Sequence, residues 1–326
     1  MDQLLAGLRA AAESTRLRIL AVLSRTDLTV TELTQVLGQS QPRVSRHLKL
    51  LCDAGLLTRF QEGTWVFYRL ADEGPGADLA QAVLARVPGD DMNLVRDLER
   101  LDAVRRARAE AAAQFFKENA PRWDRIRSLY VPETEVERAM LKAVKDRRVD
   151  DLLDIGTGTG RILQIFADRV RRGLGIDLSR EMLAVARSNL EKRNLRHCHV
   201  RQGDIYNLTV PQGSMDVVTI HHVLHFLDDP AAAIREAART LRPDGRLLIV
   251  DFAPHQLEFL RSEYAHRRLG FTDEAVAGWC KAAGLEGLRI EHLTAKGKKS
   301  KDKLIVTLWA ATQNKEAGAH YQLEVA

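Results

Sequence analysis

Three glycines stand at alternate positions, Gly156, Gly158 and Gly160, directly after the apolar run Leu152-Leu153-Asp154-Ile155. Glycine lets a backbone turn tightly and approach a ligand closely. A helical pattern follows, with Ile162, Leu163, Phe166, Ala167 and Val170 on one face, and the start of a helix presents N–H groups that have no partner inside it. A second apolar stretch, Gly173 to Ile176, ends in Asp177. A carboxylate about 20 residues beyond the first glycine can accept both hydroxyls of a ribose. The unit is therefore one for a nucleoside-bearing ligand. The dinucleotide spacing GxGxxG fails, because Arg161 holds its sixth position, and a phosphate-gripping GxxxxGK loop is absent.

A second group of residues suits nucleic acid. Gln41, Arg43, Ser45, Arg46 and Lys49 share the open faces of a helix whose other face is Val44, Leu48 and Leu51. Arg reads guanine, Gln reads adenine and Ser reads either, and all of them reach phosphates. Arg59 and Arg69 lie in the hairpin that follows. A third group, His221, His222 and His225, provides titratable rings after an apolar strand. They are the candidate catalytic residues. As a metal set they lack the further ligands a closed site needs, so none is expected.

Elements must position these groups. Residues 1–23 read as helix, Thr31 to Leu37 as a short helix stopped by Gly38, and Ser40 with Pro42 opens a helix that runs to about Ala54. Helix, tight turn, helix is followed by two strands, Leu57 to Gln61 and Trp65 to Leu70. A further helix lies near Ala77 to Val87, and a long charged one runs from Asn93 to Asn119. Phe115, Phe116, Trp123 and Tyr130 cluster ahead of the glycine loop. Beyond Asp177 the pattern alternates helix and strand, with strands at Cys198 to Arg201, Met215 to Ile220, Arg246 to Phe252, Leu288 to Leu293 and Leu304 to Ala311. Lys296, Lys298, Lys299, Lys301 and Lys303 form a basic run between the last two, which reads as a solvated hairpin loop.

The chain has 326 residues, 45% of them apolar, and a net charge of +5, which permits nucleic-acid binding without requiring it. Residues 1–70 carry nine Lys or Arg against six Asp or Glu, so on pattern alone a helical protein-binding domain with solvated charges stays open. There is no signal-peptide pattern and no run of the roughly 18 apolar residues that a membrane span needs. Cys52, Cys198 and Cys280 are scattered without metal or disulfide spacing, which suits a cytoplasmic protein.

The pattern Asp154-x-Gly156-x-Gly158-x-Gly160 with Asp177 resembles the first motif and acidic loop of class I S-adenosylmethionine-dependent methyltransferases. Asp229-Pro230 and the turn Leu241-Arg242-Pro243-Asp244-Gly245 resemble the ubiquinone-type group of that family, with Asp244 in place of a glycine. The resemblance implies cofactor contacts at Asp154, Gly156, Gly158, Gly160, Asp177, Leu178, Met182, Asp204, Ile205 and His221, and a helical lid built from the aromatics before the loop. No tetrapeptide of the DNA-methylating kind, a Pro-Pro pair before an aromatic, is present.

Residues 1–88 are similar to the winged helix of ArsR/SmtB repressors. Ser40, Val44, Ser45, His47, Leu48, Leu51 and Gly55-Leu56 carry the likeness. It implies a homodimer on a double-stranded DNA operator, contacted through Gln41, Arg43, Ser45, Arg46, Lys49 and Arg59. Metal-sensing members carry cysteine pairs before or within the recognition helix, or His and Asp sets on the last helix; here Cys52 stands alone and the helix near Ala77 has neither His nor Cys.

The fold expected is α/β, an N-terminal winged helix-turn-helix domain plus a C-terminal Rossmann-like, seven-stranded methyltransferase fold. The boundaries expected are 1–88 for the winged helix, 89–130 for a helical linker and lid, 131–313 for the methyltransferase domain and 314–326 for a tail. Two functions follow. In one, S-adenosylmethionine or S-adenosylhomocysteine is an effector that alters operator affinity. In the other, the domain is an active methyltransferase on a small-molecule acceptor, and the winged helix serves autoregulation or localisation.

Overall fold

The computed structural model describes residues 1–62, 64–71, 74–119, 133–294 and 304–314. Trp123, Tyr130, the five lysines from Lys296 to Lys303 and all of the tail beyond Asn314 lie outside the described residues, as does the side chain of Phe115. The chain divides into two compact units, Met1–Ala111 and Ala112–Ala326.

The first unit begins with α1 (Asp2–Ala11) and α2 (Ser14–Leu23). The single helix expected over 1–23 is broken because Glu13 takes an extended conformation and its carboxylate accepts the Arg16 amide, capping α2. After β1 (Leu28–Thr29), α3 (Val30–Leu37) opens on a complete capping box between Thr29 and Glu32 and closes on left-handed Gly38. Then come α4 (Gln41–Asp53), β2 (Leu57–Glu62), β3 (Trp65–Leu70) and α5 (Pro75–Leu84). The strands form one small sheet in the order β1-β3-β2. Val44, Leu48 and Leu51 of α4 are completely buried among Ile19, Leu20, Leu33 and Leu56, so the apolar spacing of that helix decides which of its faces stays open.

Helix α6 (Met92–Asn119) starts in this first unit and extends past the boundary at Ala111. Its N-terminal half is part of the first unit's core: Leu94 and Leu101 are buried, and Asp97, also buried, takes a two-pronged ion pair from Arg18 of α2 at 2.6 Å on each oxygen.

In the second unit the elements are α7 (Glu133–Ala143), β4 (Val149–Ile155), α8 (Arg161–Phe166), β5 (Val170–Asp177), α9 (Arg180–Lys192), β6 (Cys198–Gln202), β7 (Met215–His221), α10 (Pro230–Thr240), β8 (Leu241–Phe252), α11 (Phe259–Tyr264), α12 (Asp273–Ala282), β9 (Leu285–Leu293) and β10 (Val306–Gln313). Helix α8 is shorter than its apolar pattern suggests. Val170 leaves it to pair with Val149, so a ladder partner overrides the helical spacing. The sheet has seven strands, the number expected, in the order β6-β5-β4-β7-β8-β10-β9, with β10 antiparallel to both neighbours. Alternate residues feed opposite layers: Leu248 and Val250 join Phe166 and Met140, while Leu247 and Ile249 join Ile155 and Trp309. At the N-terminal ends of the strands, Asp151 and Asp216 bind Arg172 and Arg242 at 2.6 to 2.8 Å, a network that staples that edge.

Candidate functional site

The opposite edge carries the candidate ligand site. The chain proceeds outward from β4 through β5 to β6, then returns to build β7 and β8 on the other side. That reversal leaves a crevice beyond the C-terminal ends of β4 and β7, the place where open α/β sheets bind ligands. The glycine loop follows β4 directly. Gly156, Gly158 and Gly160 have φ of 69°, 51° and 79°, the left-handed region that disfavours side chains. At Gly156 a Cβ would also collide with Val223. The loop is pinned from beneath, as the amides of Gly156 and Thr157 both donate to the Ile176 carbonyl, at 2.7 and 3.0 Å. Asp154 is buried under the loop, and its carboxylate accepts the Thr219 hydroxyl at 2.7 Å, tying β4 to β7.

Asp177 ends β5. One of its oxygens accepts the Gly158 amide at 2.8 Å and the other the Ser179 amide at 2.9 Å. Burial pushes this carboxyl above the usual carboxylate range, against the pull of the Ser179, Gly158 and Leu178 amides. A carboxylate has about four acceptor sites, so two bonds leave capacity for ligand hydroxyls. Ser179 caps α9 through the Met182 amide. Leu178 is exposed, whereas the Met182 side chain is in the core. Asp204 stands exposed after β6 and accepts the Tyr206 amide, and Ile205 leans on the neighbouring apolar cluster. His221 ends β7. The expected cofactor residues thus come from the ends of β4, β5, β6 and β7 and, for Met182, from the first turn of α9, with Asp154, Met182 and His221 buried and Leu178 and Asp204 exposed.

His221, His222 and His225 are all buried, and the structure adds groups that sequence reasoning missed. His225 Nδ1 lies 2.7 Å from Asp251 of β8, and its ring is 4.0 Å, centroid to centroid, from that of His266. Burial pushes the Asp251 carboxyl up to about 6 and the His225 ring down to about 3. Phe226 meets Phe116 of α6 edge-on at 4.8 Å, so one of the aromatics assigned to a lid does adjoin the loop after β7. The sequence signal for Asp251 was weak: one acid in an apolar strand, placed by the register that pairs His221 with Val250.

In the first unit, Gln41, Arg43, Ser45, Arg46, Lys49 and Arg59 are all exposed. Ser40 occupies the N-cap position of α4 without a side-chain bond to the helix. Arg69, read from sequence as a neighbour of a nucleic-acid backbone, is instead tied to Asp27 at 3.0 Å and lies over the Phe60 ring. His47 is half-buried and faces Glu13 at 3.6 Å.

Comparison with known proteins gives two matches on one chain. Residues 13–59 match the family described as bacterial regulatory protein, arsR family, and residues 153–249 match the family described as methyltransferase domain. The chain is 35% identical over 116 residues, 35% of its length, to the uncharacterized methyltransferase YcgJ of Bacillus subtilis (strain 168), of which the match covers 46%. It is 31% identical over 144 residues, 43% of its length, to the demethylmenaquinone methyltransferase of Thermus thermophilus, of which the match covers 65%. It spans less than half the length of each of the first curated relatives it matches. Among solved structures, a chain from the complex between the Haloferax volcanii Trm112 methyltransferase activator and a methyltransferase superposes with a TM-score of 0.51 at 19% identity, covering 61% of this chain and 97% of that one, a likeness of fold.

Proposed function

From a chain that joins an arsR-family regulatory segment to a methyltransferase domain, we propose that the protein is a DNA-binding transcriptional regulator whose methyltransferase-fold domain binds S-adenosylmethionine or S-adenosylhomocysteine as its effector. The observation that carries this reading is helix α6. Its Leu94, Asp97 and Leu101 are built into the core of the unit bearing the exposed α4 residues, and its Phe116 packs beside the loop after β7 in the unit bearing the glycine loop. A single helix that is structural in both units is a ready element for coupling ligand to DNA.

The glycine loop would cradle the amino-acid part of the ligand, Asp177 its ribose hydroxyls, and Asp204 with Ile205 its adenine. The recognition helix α4 would enter the major groove with Gln41, Arg43, Ser45, Arg46 and Lys49, and Arg59 would meet a phosphate. Leu4, Leu5 and Leu8 of α1, with Met1 just before it, are large apolar side chains left exposed, which supports a second copy of the chain as partner. Two recognition helices would then read half-sites about one DNA turn, roughly 10 bp, apart.

A second reading has its own support. The His225–Asp251 pair beside the loop after β7 is the kind of buried acid–imidazole couple that could take a proton from a methyl acceptor. An active methyltransferase acting on a small molecule is therefore the alternative. Methyl transfer from a sulfonium asks chiefly for proximity and alignment, so the cofactor loop serves either reading.

The test is operator binding by the full chain with S-adenosylmethionine, with S-adenosylhomocysteine and with neither, alongside a product assay on cell extract. A ligand-dependent shift in operator affinity, abolished with Arg46→Ala because DNA binding itself is lost, supports the regulator. Product formation with no shift supports the enzyme instead.

A further inference from the structure

The residues around Asp251 form a site that neither reading uses fully. Strand β7 ends at His221, and β8 runs beside it in parallel, pairing His221 with Val250. The next residue, His222, donates its amide to the Val250 carbonyl at 2.8 Å. Its φ of 54° lies in the left-handed region. A bulky non-glycine residue holds that conformation only where its surroundings over-determine it, and such positions gather at functional sites. The short 3₁₀ turn Leu224–Phe226 then brings His225 back under Asp251.

We propose that His222, His225 and Asp251 bind a divalent transition-metal ion, with Zn²⁺ the ion this donor set fits best. One ligand atom from each of the three lies within 4.8 Å of those of the other two. Two imidazoles and one carboxylate make a borderline set that suits Zn²⁺ and its transition-metal neighbours, whereas Ca²⁺ and Mg²⁺ ask for oxygen ligands throughout. Three protein ligands leave a fourth position for water or an oxygen-bearing ligand.

The electrostatics favour a cation here. Asp251 is completely buried, and the His225 ring 2.7 Å away offsets its charge only when protonated. A buried carboxylate is normally matched by a full positive charge or by a metal. The amides of His225 and Phe252 hold its oxygens in place, and the amides of Arg267 and Arg268 hold the His225 carbonyl at 2.9 and 3.0 Å. Such outer bonds orient metal ligands. Phe252 and Phe226 wall the trio with aromatic rings, and His266 and His255 complete the wall. His266 Nδ1 and His255 Nε2 are buried without a hydrogen-bond partner among the described residues. A metal-free hydrogen bond between His225 and Asp251 accounts for those two residues, while the amide bond to Val250 and the ring contact with Phe252 hold His222 beside them. The sequence pointed away from a metal because three histidines alone do not complete a set; β8 supplies the missing acid. The site is compatible with the effector reading as it stands; in the methyl-donor reading a bound ion would take His225 and Asp251 out of the acid–imidazole couple.

The experiment uses the untagged full chain, stripped with EDTA and titrated with Co²⁺ alone, followed by its visible d–d absorption, then back-titrated with Zn²⁺. The expected result is a saturable band at a single equivalent that Zn²⁺ erases. His222→Asn, which tolerates the left-handed backbone, and Asp251→Asn, which keeps the side-chain shape, should each weaken Co²⁺ binding by at least about tenfold. Circular dichroism confirms that the variants are folded, and His47→Gln should leave the titration unchanged. No band in the wild-type protein overturns the proposal. So does a band that both variants keep with unaltered affinity.

Discussion

Asp177 has a structural and a proposed binding role in the same two oxygens. It holds the Gly158 amide and the start of α9 while leaving acceptor capacity for a ribose. Asp177→Ala should therefore weaken S-adenosylmethionine binding by at least about tenfold, since a hydrogen bond to a charged group contributes roughly 1.5–3 kcal/mol. Calorimetric titration checks this, and an unchanged dissociation constant removes Asp177 from the site. His47 sets a different expectation at the same scale. Burial holds its ring below the ordinary histidine range, with Glu13 pulling the other way and Arg16, Arg43 and Arg46 adding to the burial effect. The folded protein then binds fewer protons at this ring than the unfolded chain does. Stability should fall as pH drops below the ordinary histidine value of roughly 6.5. Glu13 adds to the loss at lower pH: burial raises its carboxyl, but the Thr15 and Arg16 amides outweigh that and leave it below its ordinary value. Urea denaturation at neutral pH and at about pH 5.5 should show a smaller loss in His47→Gln than in the wild type; equal losses would mean that His47 is not buried as described.

At the scale of elements, what could be read in advance was what is local. The glycine stop of α3, the apolar face of α4 and the glycine loop each rest on side chains within a few residues of one another. What could not be read was set by register or by distant partners. Val170 left a helical pattern for the β4 ladder, Arg69 turned to Asp27 and Phe60, and Asp251 met His225 only because β7 and β8 run side by side. Helix α6 is the strongest case. Its charged surface suggested a helical linker, yet Asp97 is wholly buried against Arg18. Removing one member of a buried pair leaves the other uncompensated, so Asp97→Ala should destabilise the first unit by about 3–5 kcal/mol. Denaturant unfolding followed by Trp65 of the wing checks this. A change near zero would show that the pair is not holding α6 to α2.

For the whole molecule, the number of strands and the two-part composition of the chain were legible because each rests on long periodic segments and spaced motifs. Which side chains gather around the loop after β7 was only partly so, since Asp251 and His266 join the histidines from distant positions. The proposed regulator requires more than two functional halves, because a ligand moves an equilibrium only by its difference in affinity for two states. Linkage makes this measurable from either side: whatever factor the ligand changes operator affinity by, operator must change ligand affinity by the same factor. The direct measurement is calorimetric titration of S-adenosylmethionine and of S-adenosylhomocysteine into the full chain, free and saturated with operator DNA. The expected result is that at least one dissociation constant changes by about 5-fold or more on DNA, a coupling of at least roughly 1 kcal/mol. Dissociation constants that are equal with and without DNA for both ligands would contradict the effector role.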